Sequence, residues 1–117
     1  MVRILIVDDS ETARLWTRAR LPERDDLVVV EAEDGARALE LYREARPDLV
    51  LLDLTMPVMD GFELLRRLIE MDAAAHVVVL TADHQAESKR RCLAAGAKAI
   101  LNKPARADEL LRVLPDA

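Results

Sequence analysis

Aromatic side chains make up only 3% of the 117 residues. A core must therefore be assembled from Val, Leu, Ile, Ala and Met, and there is almost no material for stacking the bases of a single-stranded nucleic acid. Cys92 is the single cysteine, which excludes an internal disulfide and a paired-cysteine metal site and fits a reducing compartment. With 3 glycines and 5 prolines the chain has no linker-like or low-complexity stretch. Positive charge is also in deficit. Seventeen Lys and Arg against 22 Asp and Glu leave a net charge of -5, the wrong sign for a dominant field towards a phosphate backbone. An anionic ligand has to be captured locally. No apolar run reaches bilayer length, and the opening MVRILIVDDS puts acids straight after a short apolar stretch without a basic leader. The expectation is one cytoplasmic domain spanning 1–117, with neither nucleic acid nor membrane as a direct partner.

What is present is a normal globular mixture, 51% hydrophobic and 33% charged, on a chain long enough to bury a core. Val2 to Val7 is a short branched apolar stretch broken only by Arg3, and Leu27 to Val30, Leu49 to Leu52 and Val77 to Leu80 repeat that texture, with Ala99 to Leu101 a weaker fifth. Near-continuous apolar strands of this length belong to a parallel sheet covered on both faces. Between them lie helical spacings: Ala13, Trp16 and Ala19; Ala38, Leu39 and Tyr42; Phe62, Leu65, Leu68 and Ile69; and Leu110, Leu111 and Leu114. The stretch from His84 to Ala95 is more polar, with Ala86, Leu93 and Ala94 as its apolar candidates, and is expected to be the least firmly anchored helix. Ser10 and Asp34 suit helix starts, and Gly96 suits a helix end. The alternation predicts a doubly wound α/β fold of (βα)5 type, flavodoxin-like, with a five-stranded parallel sheet in the order 2-1-3-4-5 and helices on both faces.

In such folds ligands sit beyond the carboxyl ends of the strands, so the residues just after each strand carry the test. Asp8 and Asp9 follow the first, Asp53 closes the third, Thr81 closes the fourth and Lys103 follows the fifth. Clustered carboxylates are unfavourable alone: two like charges about 4 Å apart repel by about 4 kcal/mol at an effective dielectric of 20. A hard divalent ion such as Mg2+ suits oxygen ligands and bridges carboxylates to phosphate, while Lys103 supplies a mobile point cation. A phosphate gathered there by the metal, the ammonium and the Thr81 hydroxyl would be positioned and neutralised. A carboxylate against it, best placed at Asp53, would be the nucleophile that becomes an acyl phosphate. Each piece has a bland reading, as a cap, as β propensity or as a turn. Their joint occurrence at successive strand ends is what favours chemistry.

The segments VDDS, LDLTMPVMDG around Asp53, VLTAD around Thr81 and AGAKAILNKP around Lys103 resemble the receiver domains of two-component response regulators, over essentially the whole chain and in the right order. The resemblance implies Asp53 as phosphoacceptor, Asp9 and Asp53 as direct Mg2+ ligands, Asp8 acting through water and Thr55 contributing its backbone carbonyl. It implies Thr81 as the switch hydroxyl, Ala82 as the small neighbour that leaves room for the phosphoryl group, Lys103 as the phosphate-binding cation, and a cis peptide between Lys103 and Pro104. It places Gly61 in the loop leading into the third helix, and Thr55 and Asp83 beside the path of the hydrolytic water. Asp83 has the alternative role of capping the following helix. Two positions depart from the pattern: Ile100 stands where an aromatic switch residue is common, and Ala105 where an aromatic often follows the Lys-Pro pair.

The function so implied is a signalling module that takes a phosphoryl group from a histidine kinase or phosphotransfer protein and shifts between conformations. Its output partner would bind the fourth helix, fifth strand and fifth helix, about His84 to Leu114, and its state would be a monomer or a phosphorylation-dependent dimer. It modifies itself rather than turning over a metabolite. One rival is a phosphatase of the haloacid dehalogenase type, which would want an acid where Thr55 stands; another is a receiver-like scaffold working without phosphorylation, against which Asp8, Asp9, Asp53, Thr81 and Lys103 all speak. Trp16 reads as packing, Cys92 as a structural or surface thiol, and His76 and His84 lack ligand spacing. Lys89, Arg90 and Arg91 read as a solvated face with capacity for an acidic partner.

Overall fold

The computed structural model describes residues 1–54, 60–83 and 85–115. Thr55 and His84 lie outside the described residues. Five strands, β1 (Val2–Val7), β2 (Leu27–Ala32), β3 (Leu49–Asp53), β4 (Val77–Thr81) and β5 (Ala99–Asn102), alternate with α1 (Glu11–Arg20), α2 (Gly35–Ala45), α3 (Gly61–Met71), α4 (Ala86–Ala94) and α5 (Ala107–Val113). The strands form one parallel sheet in the order β2-β1-β3-β4-β5. This is the flavodoxin-like arrangement expected from the alternation of apolar strands with amphipathic helices.

Side chains alternate across each strand, which sorts the apolar residues into two cores. Leu5, Val7, Val50, Leu52, Val77 and Val79 face α2 and α3, with Leu64, Leu65 and Leu68 of α3 fully buried against them. Ile4, Ile6, Leu49, Leu51, Val78 and Leu80 face the other way, onto Leu21 after α1 and Leu110 of α5. Each such aliphatic side chain contributes about 1.5–3 kcal/mol when removed from water. The helices begin where short polar side chains accept the first orphan amides: Ser10 from Ala13, Asp34 from Arg37 and Asp60 from Glu63. Gly96, with φ 112°, follows α4 in a conformation an L side chain rarely adopts.

Three expected stripes are corrected. On α1 the inward position is Thr17, while Trp16 is 44% exposed and Ala19 is exposed; Ala13, Thr17 and Leu21 form an i, i+4 line. Trp16 instead lies under the Arg20 guanidinium, 3.3 Å from the ring centroid. On α4 Ala86, Leu93 and Ala94 are exposed and Cys92 is the buried residue. Its inner line is Ser88, Cys92 and Ala95, small side chains without a hydrophobic signature. On α5 Leu110 is buried but Leu111 is exposed. Burial does not single out the fourth helix as the least firmly anchored: α4 buries Cys92 alone, but α1 buries only Thr17 and α5 only Leu110.

Candidate functional site

Register brings the strand ends together. Val7 pairs with Leu52, Asp53 with Leu80, and Thr81 with Asn102. Asp8 therefore follows β1 beside Asp53, and Lys103 follows β5 beside Thr81. The ladder continues into the loops: the Asp8 amide donates to the Ala32 carbonyl, Leu54 to Leu80, and Lys103 to Thr81. These backbone bonds hold the site residues as firmly as the sheet itself.

Carboxylate oxygens of Asp8, Asp9 and Asp53 all lie within 4.8 Å of one another, the spacing at which carboxylates share one cation rather than repel across solvent. Asp8 and Asp53 are buried, and Asp9 faces solvent. Lys103 bridges the two buried acids, its Nζ 2.9 Å from Asp8 Oδ2 and 3.2 Å from Asp53 Oδ2. Burial pulls the ammonium towards neutrality, but the hydrogen bond to Asp8 and the charges of Asp53 and Asp8 outweigh it, and Lys103 titrates above its usual value. The lysine thus stays charged where it faces the acids. An oxygen-rich set with one open acid fits a hard divalent ion such as Mg2+, which retains waters while binding few carboxylates.

Thr81 is buried, and its Oγ1 accepts from the Asp83 amide at 2.9 Å. The hydroxyl oxygen is therefore held at the strand end by a bond it accepts, which leaves its proton to be donated elsewhere. Asp83 accepts from the Gln85 amide at 2.9 Å and from Ser88 Oγ at 2.6 Å. Both oxygens thus engage the head of α4, although the cap position itself falls on Gln85, whose side chain makes no cap bond. Ala82 is exposed beside them. The peptide between Lys103 and Pro104 is cis. Ala13, Trp16, Thr17, Ala82, Lys103 and Pro104 line a recess of about 410 Å3 that opens beside the lysine. Ile100 packs partly buried against the α2/α3 core, and Ala105 is buried in the opposite one.

Sequence reasoning missed Arg14 and Glu31. Arg14 Nη1 donates to the Asp8 carbonyl at 2.6 Å and its Nε to Glu31 Oε1 at 2.9 Å, while Arg18 donates to the other oxygen of Glu31 at 2.8 Å. An arginine four residues into a helix that starts at the acid loop was the available signal. Its partner, 17 residues further on, was visible only once β2 had been placed beside β1.

Residues 4–115 match the sequence profile described as response regulator receiver domain. The chain is 41% identical over 112 residues to a chemotaxis protein CheY of Bacillus subtilis, covering 96% of this chain and 93% of that protein. Its fold matches the Vibrio cholerae chemotaxis protein CheY4 with a TM-score of 0.86 at 32% identity, covering 96% and 94% of the two chains. It also matches a chain in the CheX-CheY-BeF3-Mg2+ complex from Borrelia burgdorferi, with a TM-score of 0.80 at 30% identity and coverage of 96% and 85%.

Proposed function

The chain belongs to the response regulator receiver domain family, and on that premise we propose that it accepts a phosphoryl group on Asp53 from a histidine kinase or phosphotransfer protein. An Asp53 carboxylate oxygen attacks phosphorus, the P–N bond of the donor phosphohistidine breaks, and the imidazole leaves with its electron pair and a proton from solvent. Asp53 is left as a mixed anhydride. The observation that carries the reading is the convergence of Asp8, Asp9 and Asp53 under one lysine.

Asp8, Asp9 and Asp53 would hold Mg2+, with Thr55 supplying a backbone oxygen. The ion, when bound, neutralises charge on the phosphoryl oxygens. The chain's own residues do the rest. Lys103 exchanges part of its pairing with Asp53 for a phosphoryl oxygen. The Thr81 hydroxyl turns its proton to another such oxygen, and Ala82 leaves space for it. By the family resemblance Asp83 and Thr55 would flank the approach of hydrolytic water, and Asp83 also bonds to the head of α4, so the phosphorylated state and the position of α4 would be linked through residues 81–83.

The output partner docks on α4, β5 and α5, where Leu93 and Leu111 are exposed, and the protein acts in the cytoplasm as a monomer or phosphorylation-dependent dimer. Among the described residues no helix is long and apolar enough to cross a membrane. Incubation with acetyl phosphate and Mg2+ followed by intact mass should add one phosphoryl group to the wild type and none to a folded Asp53→Asn variant. Equal labelling of the variant refutes the assignment.

A further inference from the structure

Asp9 differs from the other two acids in that no described residue holds its carboxylate. Asp8 is fastened at every polar atom: its amide donates to Ala32, Oδ1 accepts from Ser10, Oδ2 from Lys103 and its carbonyl from Arg14. The Asp9 carboxylate is exposed, and among the described residues no hydrogen bond orients it. Its direction is set by the peptide from which it projects. That peptide is planar, and its carbonyl is the Asp8 oxygen that Arg14 grips at 2.6 Å.

We propose that Arg14 is a positioning residue for the cation site: it fixes the Asp8–Asp9 peptide plane against the end of β2 and so aims Asp9 at Asp53. The guanidinium suits the task because it is a rigid fork. One arm reaches the loop carbonyl, Nε reaches Glu31 Oε1, and Arg18 locks the second oxygen of Glu31. Only 14% of the Arg14 side chain is exposed, so water competes little for these bonds. Among the described residues Arg14 bonds to no carboxylate of the cation site, so it acts through the backbone that carries them. The inference rests on the Mg2+ reading above.

A charge effect and a positioning effect predict opposite signs. Removing a cation near three carboxylates should tighten Mg2+ binding, whereas releasing the peptide plane should weaken it. Mg2+ affinity is read from the backbone amide shifts of Asp8, Asp9 and Asp53 in the full chain, with thermal unfolding in metal-free buffer as the check on folding. Arg14→Gln is expected to bind Mg2+ about tenfold more weakly, the lower end of the cost of losing an outer support of a metal ligand. Arg14→Lys, with the charge but only a point donor, should lie between. Arg20→Gln removes an equal charge from the same helix at a side chain that lies over Trp16 rather than on Glu31, and should bind as tightly as wild type or tighter. At saturating Mg2+ the Arg14→Gln labelling by acetyl phosphate should recover. Wild-type or tighter affinity in Arg14→Gln overturns the proposal. If that variant does not melt cooperatively, wild-type affinity in Arg14→Lys overturns it instead. A wild type whose shifts do not respond to Mg2+ removes the metal reading itself, and the positioning role with it.

Discussion

Gly61→Ala should be among the most damaging single-methyl additions in this protein, and it tests how the strand that ends in Asp53 is joined to α3. Gly61 opens α3 directly after the Asp60 cap, and its amide donates to the Leu54 carbonyl at 2.8 Å. A Cβ there would lie 2.4 Å from Leu54 Cα, 2.6 Å from Leu54 O and 2.7 Å from Asp53 O. Carbon atoms prefer separations of about 3.5–4.0 Å, so backbone would have to move by about 1 Å. It has little freedom to do so, because the Leu54 amide is bonded to Leu80 and β3 is paired on both sides. Overpacking typically costs about 1–3 kcal/mol, and an immovable backbone places this case at the top, about 3 kcal/mol. Unfolding entropy of about 2.1 cal/mol/K per residue over 117 residues is about 0.25 kcal/mol/K, so the melting temperature should fall by about 12 °C.

Gly96→Ala supplies the contrast. Its φ of 112° carries a penalty of about 1–2 kcal/mol, but the atoms nearest the added Cβ belong to the Ile69 side chain, 2.9 Å to Cγ1 and 3.0 Å to Cδ1, which can turn. A fall of about 4–8 °C follows by the same conversion. Mg2+ affinity should weaken in Gly61→Ala, where the Asp53 carbonyl is pushed, and stay unchanged in Gly96→Ala. Circular dichroism melts and metal titrations measure both. A fall of less than about 3 °C in Gly61→Ala, or equal effects on Mg2+ in both variants, would refute the reasoning.

Tyr42 is the only tyrosine, so its phenolate absorbance is a direct titration. Burial first, and then its hydrogen bond to the Asp72 carboxylate, push the phenol up to about 12. An unfolded tyrosine ionises near pH 10, so this contribution is complete below about 10 and is lost as pH rises through the folded value. Tyr42→Phe should abolish that alkaline slope and cost about 0.5–1.5 kcal/mol at neutral pH; a phenol titrating near 10 in the native protein contradicts it. Lys103→Ala leaves Asp8 and Asp53 facing each other and should cost about 1–3 kcal/mol without metal, less than a fully buried pair because 28% of the lysine side chain is exposed. Added Mg2+ should restore more stability to this variant than to wild type, and an unchanged metal-free melt counts against the pairing. Cys92 is buried under α4 and its thiol is pushed up by that burial, so thiol labelling should be slow until α4 opens. Labelling at the rate of a free thiol in native buffer would show that α4 is not docked.

Much of this protein was legible in its residues. Near-continuous apolar strands such as Val77–Thr81 and Leu49–Asp53 can be satisfied only in a sheet covered on both faces, and the helix spacings between them leave the alternating parallel order as the consistent solution. The gathering of the polar residues at one rim was readable for the same reason. A residue that follows a strand in this fold reaches the carboxyl rim, so Asp8, Asp9, Asp53, Thr81 and Lys103 were identified without distances. What resisted reading were positions whose direction depends on one helical step or on a neighbour far along the chain. Trp16 and Thr17 differ by about 100° around α1, and hydrophobicity favours the wrong one. Ser88 and Cys92 form an inner face that no apolar pattern marks. Arg14 looks like any solvated helix cation until β2, laid parallel to β1, carries Glu31 to it. Local periodicity and strand-end chemistry determined the fold and the acids. Only the packing of the elements decided which side chains hold those acids in place, because a hydrogen bond between residues far apart in the chain has no local signature.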